Sequence, residues 1–139
     1  MIKDDCIFCK LANGVFPTST VYEDDDFKAI LDISPSAKGH TLVIPKNHMA
    51  DLLEADEETL GKALKVVQKV AKAVKESMGA DGVNILQNNG TAAGQSVFHL
   101  HFHIIPRYDN DSLNLTWEQL SYADGEADEL AAKIGSYVK

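Results

Sequence analysis

Between Phe98 and Ile105 the chain reads Phe-His-Leu-His-Phe-His-Ile-Ile, with histidine at every second place from 99 to 103 and large apolar residues between. Successive side chains of a strand point to opposite faces. The pattern therefore predicts a strand from Val97 to Ile105 with Leu100, Phe102 and Ile104 in a core. His99, His101 and His103 would then stand in one row at intervals of about 6.6 Å of backbone. A single strand histidine is usually a hydrogen-bonded structural residue, but three of the chain's five in one register point to chemistry. A triple-imidazole metal site fits the row, and so do neutral imidazoles doing nucleophilic and acid–base work near pH 7.

Upstream lies a polar loop from Asn88 to Gly94-Gln95-Ser96, whose backbone N–H groups, hydroxyl and amides suit an anion such as phosphate. His40 follows Gly39 and can join the histidine row if its strand is a neighbour, whereas His48 lies past the other end of the Leu42–Pro45 run. The only two cysteines form Cys6-x-x-Cys9, a loop too tight for an ordinary disulfide staple. That spacing is half of a zinc site, for which His48 and His99 are available partners; two buried thiols are the alternative. A redox pair would follow a strand and open a helix, and no strand precedes this one.

The remaining chain supplies the layers that such a strand needs. Ser19–Tyr22 and Phe27–Ile33 read as a hairpin around the acidic turn Glu23–Asp26, and Thr41–Pro45 as a third strand. From Asp56 to Met78 the period changes: Leu60, Leu64, Val67, Val70, Ala71, Val74 and Met78 recur at helical spacing, with Asp56 as cap and Gly79 as terminator. Lys62, Lys65, Lys69 and Lys72 line the opposite, solvated side. Val83–Gln87 is strand-like, and Leu115–Val138 carries a weak helical pattern broken near Gly125, which suggests one or two short helices. The expected class is α+β with a mainly antiparallel sheet, in one domain over 1–139 without repeat or linker. The net charge of −8 argues against a nucleic-acid polymer or an anionic membrane as partner. No apolar run approaches the roughly 20 residues of a membrane span, and Met1-Ile-Lys-Asp-Asp lacks the segments of a signal peptide, so a cytoplasmic location is expected.

His99-Leu-His101-Phe-His103-Ile-Ile105 resembles the His-φ-His-φ-His-φ-φ motif of the HIT (histidine triad) family of nucleotide-binding proteins. The resemblance continues through Gly94–Phe98, Asn88, Leu31-Asp-Ile-Ser-Pro35 and Gly39–Pro45. It covers most of a core from about 6 to 107 and is similar to the small Hint-like branch; the tail, 108–139, resembles the family little. It implies a HIT-like fold with a short N-terminal helix beside the long one, pairing as a homodimer, with one purine mononucleotide site per subunit. By resemblance, His101 is the nucleophile that attacks the α-phosphorus, His103 holds a non-bridging oxygen, and His40 and Asn88 orient or polarise the relay. Ser96 bonds the leaving group with help from backbone donors at Gly94 and Gln95, and Asp32 takes the ribose hydroxyls. Phe8, Leu11, Phe16, Ile33 and Leu42 form the base pocket, and Trp117 is a candidate substrate contact. Cys6, Cys9, His48 and His99 match a structural zinc site found in bacterial relatives, with no cofactor required for catalysis. The implied activity is hydrolysis of a purine nucleoside monophosphate from a leaving group, most simply an adenosine phosphoramidate. A dinucleoside polyphosphate hydrolase and a non-catalytic nucleotide-binding or scaffold module are the alternatives. Uridylyltransferase relatives usually carry glutamine at the third histidine, so His103 points to hydrolysis.

Overall fold

The computed structural model describes residues 1–139. A short helix, α1 (Ile7–Ala12), is followed by β1 (Thr20–Glu23), β2 (Phe27–Leu31), β3 (Thr41–Pro45), the long α2 (Glu57–Ser77), β4 (Gly82–Leu86), β5 (Phe102–Arg107) and α3 (Glu126–Tyr137). The strands make one five-stranded antiparallel sheet in the order β1-β2-β3-β5-β4. This is the expected α+β architecture, with the short and the long helix where the resemblance puts them.

Side-chain alternation sorts the sheet into two faces. Phe27, Ala29, Val43, Phe102 and Ile104, with Leu100 just upstream of β5, pack against Ala63, Val66, Val67, Val70 and Val74 of α2. Ile30, Leu42 and Ile44 turn the other way and meet Ala12, Phe8 and Leu11 of α1. β2 and β3 are thus covered on both faces, which explains their continuous apolar runs. Asp56 caps α2 by accepting the Thr59 N–H at 2.8 Å, and Gly79 follows it with φ of +61°. The turn between β1 and β2 is held by Asp24 Oδ1, which accepts the N–H groups of Asp26 and Phe27.

Two expectations need correction. Leu64 does not face the core and is 59% exposed. The helix turns instead on Ala63, which is fully buried; its small side chain lets the helix axis approach the sheet, and Val66 replaces Leu64 in the stripe. The histidine strand also begins at Phe102, not Val97. The β3–β5 ladder ends at Val43↔Phe102, and two residues further along β3 stands Pro45, which has no N–H to donate. Leu100 sends its N–H to Met49 O instead, at 2.8 Å. Alternation nevertheless persists, because Leu100 remains fully buried on the α2 face.

The tail forms a single helix, α3, with no buried residue, entered through Gly125 at φ +79°. Its departure is fixed by Arg107, whose guanidinium donates to both carboxylate oxygens of Asp111 at 2.8 Å, to Asn84 Oδ1 at 2.7 Å and to Leu113 O at 2.6 Å. Trp117, a candidate contact, is 83% exposed. No helix is long and apolar enough to cross a membrane.

Candidate active site and metal centre

His103 is placed by β5, where it pairs with Leu42 of β3 on one side and Leu86 of β4 on the other. His99 and His101 lie on the extended segment just before that strand, and the bonds lost from the ladder are made by their rings. His99 Nε2 donates to Pro45 O at 2.8 Å, and His101 Nδ1 donates to the carbonyl oxygen of His99 at 2.6 Å. A neutral imidazole carries one proton, so each donation fixes a tautomer. His101 therefore keeps its Nε2 lone pair free. His99 keeps the lone pair on Nδ1.

His40 has the opposite arrangement. The Ser36 N–H donates to its Nδ1 at 3.1 Å, so the proton sits on Nε2 and is donated to His103 Nδ1 at 2.9 Å. His103 must then carry its own proton on Nε2. Gly39 sets this up: its φ of +95° turns the chain into β3, and a Cβ there would lie 2.9 Å from the Met78 side chain. Asp32 Oδ2 stands 3.7 Å from His40 Nε2, while Oδ1 accepts the Ser34 N–H at 2.9 Å. The rings form a chain, with centroids 5.1 Å apart for His40 and His103 and 5.0 Å for His103 and His101. Burial and the neighbouring His101 and His40 press His103 down to about 4, and burial also lowers His40 and His101 against the pull of Asp32. All three rings are neutral near pH 7.

The loop from Asn88 to Ser96 is more self-contained than its sequence suggests. The N–H groups of Gly94 and Gln95 were expected to face a ligand, but they donate to Thr91 O at 3.0 Å and Gly90 O at 3.1 Å. A 3-10 turn, Thr91–Ala93, consumes them, and Gly94 closes it at φ +95° with the Asn88 amide against it. Buried Gln95 is the lock, accepting from Gly90 N and donating to Ala50 O, both at 2.8 Å. Its position inside a polar loop gave no sign of that role. Ser96 follows the lock.

Of the apolar set, Phe8, Leu11 and Leu42 come together around α1 and β3. Phe16 lies apart under the Lys10 ammonium, 5.6 Å from its ring centroid, and Ile33 is 98% exposed. The sequence did not reveal that Phe8 also sets its ring edge-on to His101, with centroids 4.8 Å apart.

Cys6, Cys9, His48 and His99 converge, with all four ligand atoms within 4.8 Å of one another. Cys9 Sγ lies 3.4 Å from both His48 Nδ1 and His99 Nδ1, and Cys6 Sγ 3.4 Å from His99 Nδ1. Those edges suit a tetrahedron with arms of about 2.3 Å to sulfur and 2.0 Å to nitrogen. The donor set fits a metal chemically as well. His99 aims a lone pair at the sulfurs while its other nitrogen is held by a carbonyl, the usual support of a ligating histidine. Burial raises the Cys9 thiol above its usual value, so a thiolate there requires a nearby cation.

Asp32, His40 and His103 form a second group of the same compactness. Here the protons argue against a metal, since His40 Nε2 bears hydrogen while the Ser36 N–H occupies Nδ1.

A HIT-domain family model matches residues 13–110. Protein hit of Bacillus subtilis is 43% identical over 136 residues, covering 97% of this chain and 92% of its own. The adenosine 5'-monophosphoramidase of Schizosaccharomyces pombe is 41% identical over 135 residues, covering 96% and 98% of the two chains. An adenylylsulfatase of Arabidopsis thaliana is 38% identical over 138 residues, covering 99% of this chain and 70% of its own. Among solved structures, a protein of Streptococcus mutans matches with a TM-score of 0.94 and 40% identity, covering 99% and 87%. A zinc-bound histidine triad family protein of Mycobacterium smegmatis matches with a TM-score of 0.76 and 40% identity, covering 95% and 96%. The chain belongs to the HIT family.

Proposed function

We propose that this protein hydrolyses adenosine phosphoramidates and related conjugates, releasing AMP through a nucleotidyl-histidine intermediate. One observation carries the reading: the 2.6 Å bond from His101 Nδ1 to the His99 carbonyl leaves Nε2 as a free lone pair on a buried, neutral ring. In the first step Nε2 attacks the α-phosphorus; the P–Nε2 bond forms as the bond to the leaving group breaks, and the departing amine takes up a proton from solvent. Water then attacks the phosphorus, its oxygen bonding there as the P–Nε2 pair returns to the ring, and the proton it sheds to solvent balances the one taken up by the amine.

The neighbouring groups support that step. His103, with its proton held on Nε2 by the bond from His40, donates to a non-bridging phosphate oxygen on which charge builds. Ser96 bonds the leaving group without the backbone help first expected of Gly94 and Gln95, and Asn88 orients the relay from across Gly94. Asp32 takes the ribose hydroxyls, with the base against Phe8, Leu11 and Leu42 and capped by the exposed Phe16 and Ile33. The two relatives whose names state an activity share the AMP half of the substrate and differ in the leaving group, so adenylyl sulfate is the second substrate to try.

Cys6, Cys9, His48 and His99 hold a structural Zn2+, a reading supported by the donor set and the zinc-bound relative. The chain acts as one domain and as a homodimer, for which β4 offers an edge strand bearing the exposed Ile85. The two unpaired thiols favour a reducing cytoplasm.

The test is turnover of an adenosine phosphoramidate beside adenylyl sulfate and a diadenosine polyphosphate. The wild type should prefer the phosphoramidate, and His101→Ala should lower kcat by more than about a thousandfold. A wild type that binds AMP yet cleaves none of the three is a binding module, and the hydrolase reading is lost.

A further inference from the structure

The metal centre and the nucleophile share one stretch of backbone. The ring of His99 lies among the sulfurs of Cys6 and Cys9, and the same residue's carbonyl oxygen takes the Nδ1 proton of His101. A second link runs through α1. Phe8 sits between the two cysteines and meets His101 edge-on, with planes at 83°, and His99 at 6.2 Å and 66°. α1 has six residues and uses Cys6 as its own N-cap, the sulfur accepting the Cys9 N–H at 3.4 Å. Leu11 and Ala12 pack its C-terminal part onto Ile30, Leu42 and Ile44, and its first turn needs support of its own in so short a helix. Its two cysteines tie it to His48 and His99.

Resting on the nucleophile assignment above, we propose that a divalent metal at Cys6, Cys9, His48 and His99 sets the ring orientation of His101, and that Phe8 is the positioning residue that transmits it. With the metal bound, the ring and peptide plane of His99 are fixed together, so its carbonyl keeps the Nδ1 proton of His101. The edge of Phe8 blocks rotation of the His101 ring, and the Nε2 lone pair stays directed at the substrate. Without the metal, the first turn of α1 and the His99 peptide loosen together, and His101 gains a second ring orientation and tautomer. The centre therefore governs the attacking step as well as stability. An open cavity lined by Lys3, Asp5, Cys6 and His48 gives solvent access to the sulfur side, so a chelator reaches it in the folded chain.

Full-length protein carrying one Zn2+ per chain is compared with chelator-treated protein by 15N spectra of the histidine rings and by the single-turnover rate of intermediate formation. The zinc form should show His101 as one tautomer with hydrogen on Nδ1. The stripped form should show both tautomers and a rate roughly tenfold lower. Phe8→Leu keeps apolar bulk and both thiols; it should retain zinc, show the mixed His101 signals and lose kcat, whereas a residue that only contacts the base would raise KM alone. An unchanged His101 spectrum in either the stripped protein or Phe8→Leu overturns the proposal. If stripping unfolds the chain, the zinc-loaded variant decides. If no form yields an intermediate, the hydrolase reading fails while the ring spectra still judge the coupling.

Discussion

Two clusters on the same histidine row are equally compact and chemically opposed. In each, the ligand-type atoms lie within 4.8 Å of one another. In Cys6–Cys9–His48–His99, the nitrogen facing the group at His99 is a lone pair, because the Pro45 carbonyl holds the other nitrogen's proton. In Asp32–His40–His103, the nitrogen of His40 facing the group bears the proton, because a backbone N–H occupies the opposite side. Distance alone would assign two metals. The hydrogen bonds that His99 and His40 make outside the clusters separate a group able to accept a metal from one suited to passing protons.

The sharpest way to break that distinction is to remove one ring from the relay. His103→Ala should lower kcat about a hundredfold to a thousandfold, as expected for loss of a donor at a developing charge, with zinc content unchanged in metal analysis. Loss of zinc in that variant would merge the two clusters into one. Next in size is Cys9→Ser, which should purify without zinc and melt several degrees lower, because metal affinity is also folding energy. Retention of one zinc per chain would remove the tetrahedral assignment.

The smallest effect is a pH dependence that the two clusters divide between them. His103 and His99 are each pushed down to about 4 by burial, against an ordinary value of 6.5. The unfolded chain binds protons on these rings first, so their stabilising contribution is complete above about 6.5 and is lost progressively as pH falls towards 4. Melting temperatures of metal-free protein should be flat from pH 8 to 7 and decline below 6.5. Zinc-loaded protein should decline more steeply, since protons also compete for His48 and His99. A metal-free melting point that rises on acidification would show that these rings are charged in the fold.

Much of this was legible in the sequence, for identifiable reasons. Alternation from His99 to Ile104 sorted the faces correctly even where no ladder forms, because burial of Leu100 enforces the pattern without strand pairing, whereas Phe98 before it is 50% exposed. The Cys-x-x-Cys spacing located half of the four-membered Cys/His group, and the caps of α2 were readable from Asp56 and Gly79. Hydrogen-bond accounting was not readable. Gly94 and Gln95 look like free donors until the 3-10 turn uses them, and Ser36 gave no signal because its contribution to His40 is a backbone N–H. Leu64 misled because periodicity defines a stripe without saying where along it the helix lies closest to the sheet. Only the small Ala63 decides that.

The sheet order has a consequence for how the molecule comes into being. β5 is the last strand in the chain, yet it inserts between β3 and β4. Until residues 99–107 have been made and docked, β3 and β4 have no common neighbour, the Cys6–Cys9–His48 group lacks His99, and His40 and Asp32 lack His103. A nascent chain released at the end of α2 would possess three strands, both cysteines and His40, but no working cluster of either kind. Both candidate clusters and the closure of the sheet therefore arrive in a single event, the docking of β5, and a copy lacking that strand has neither the His40–His103 pair nor the four-membered Cys/His group.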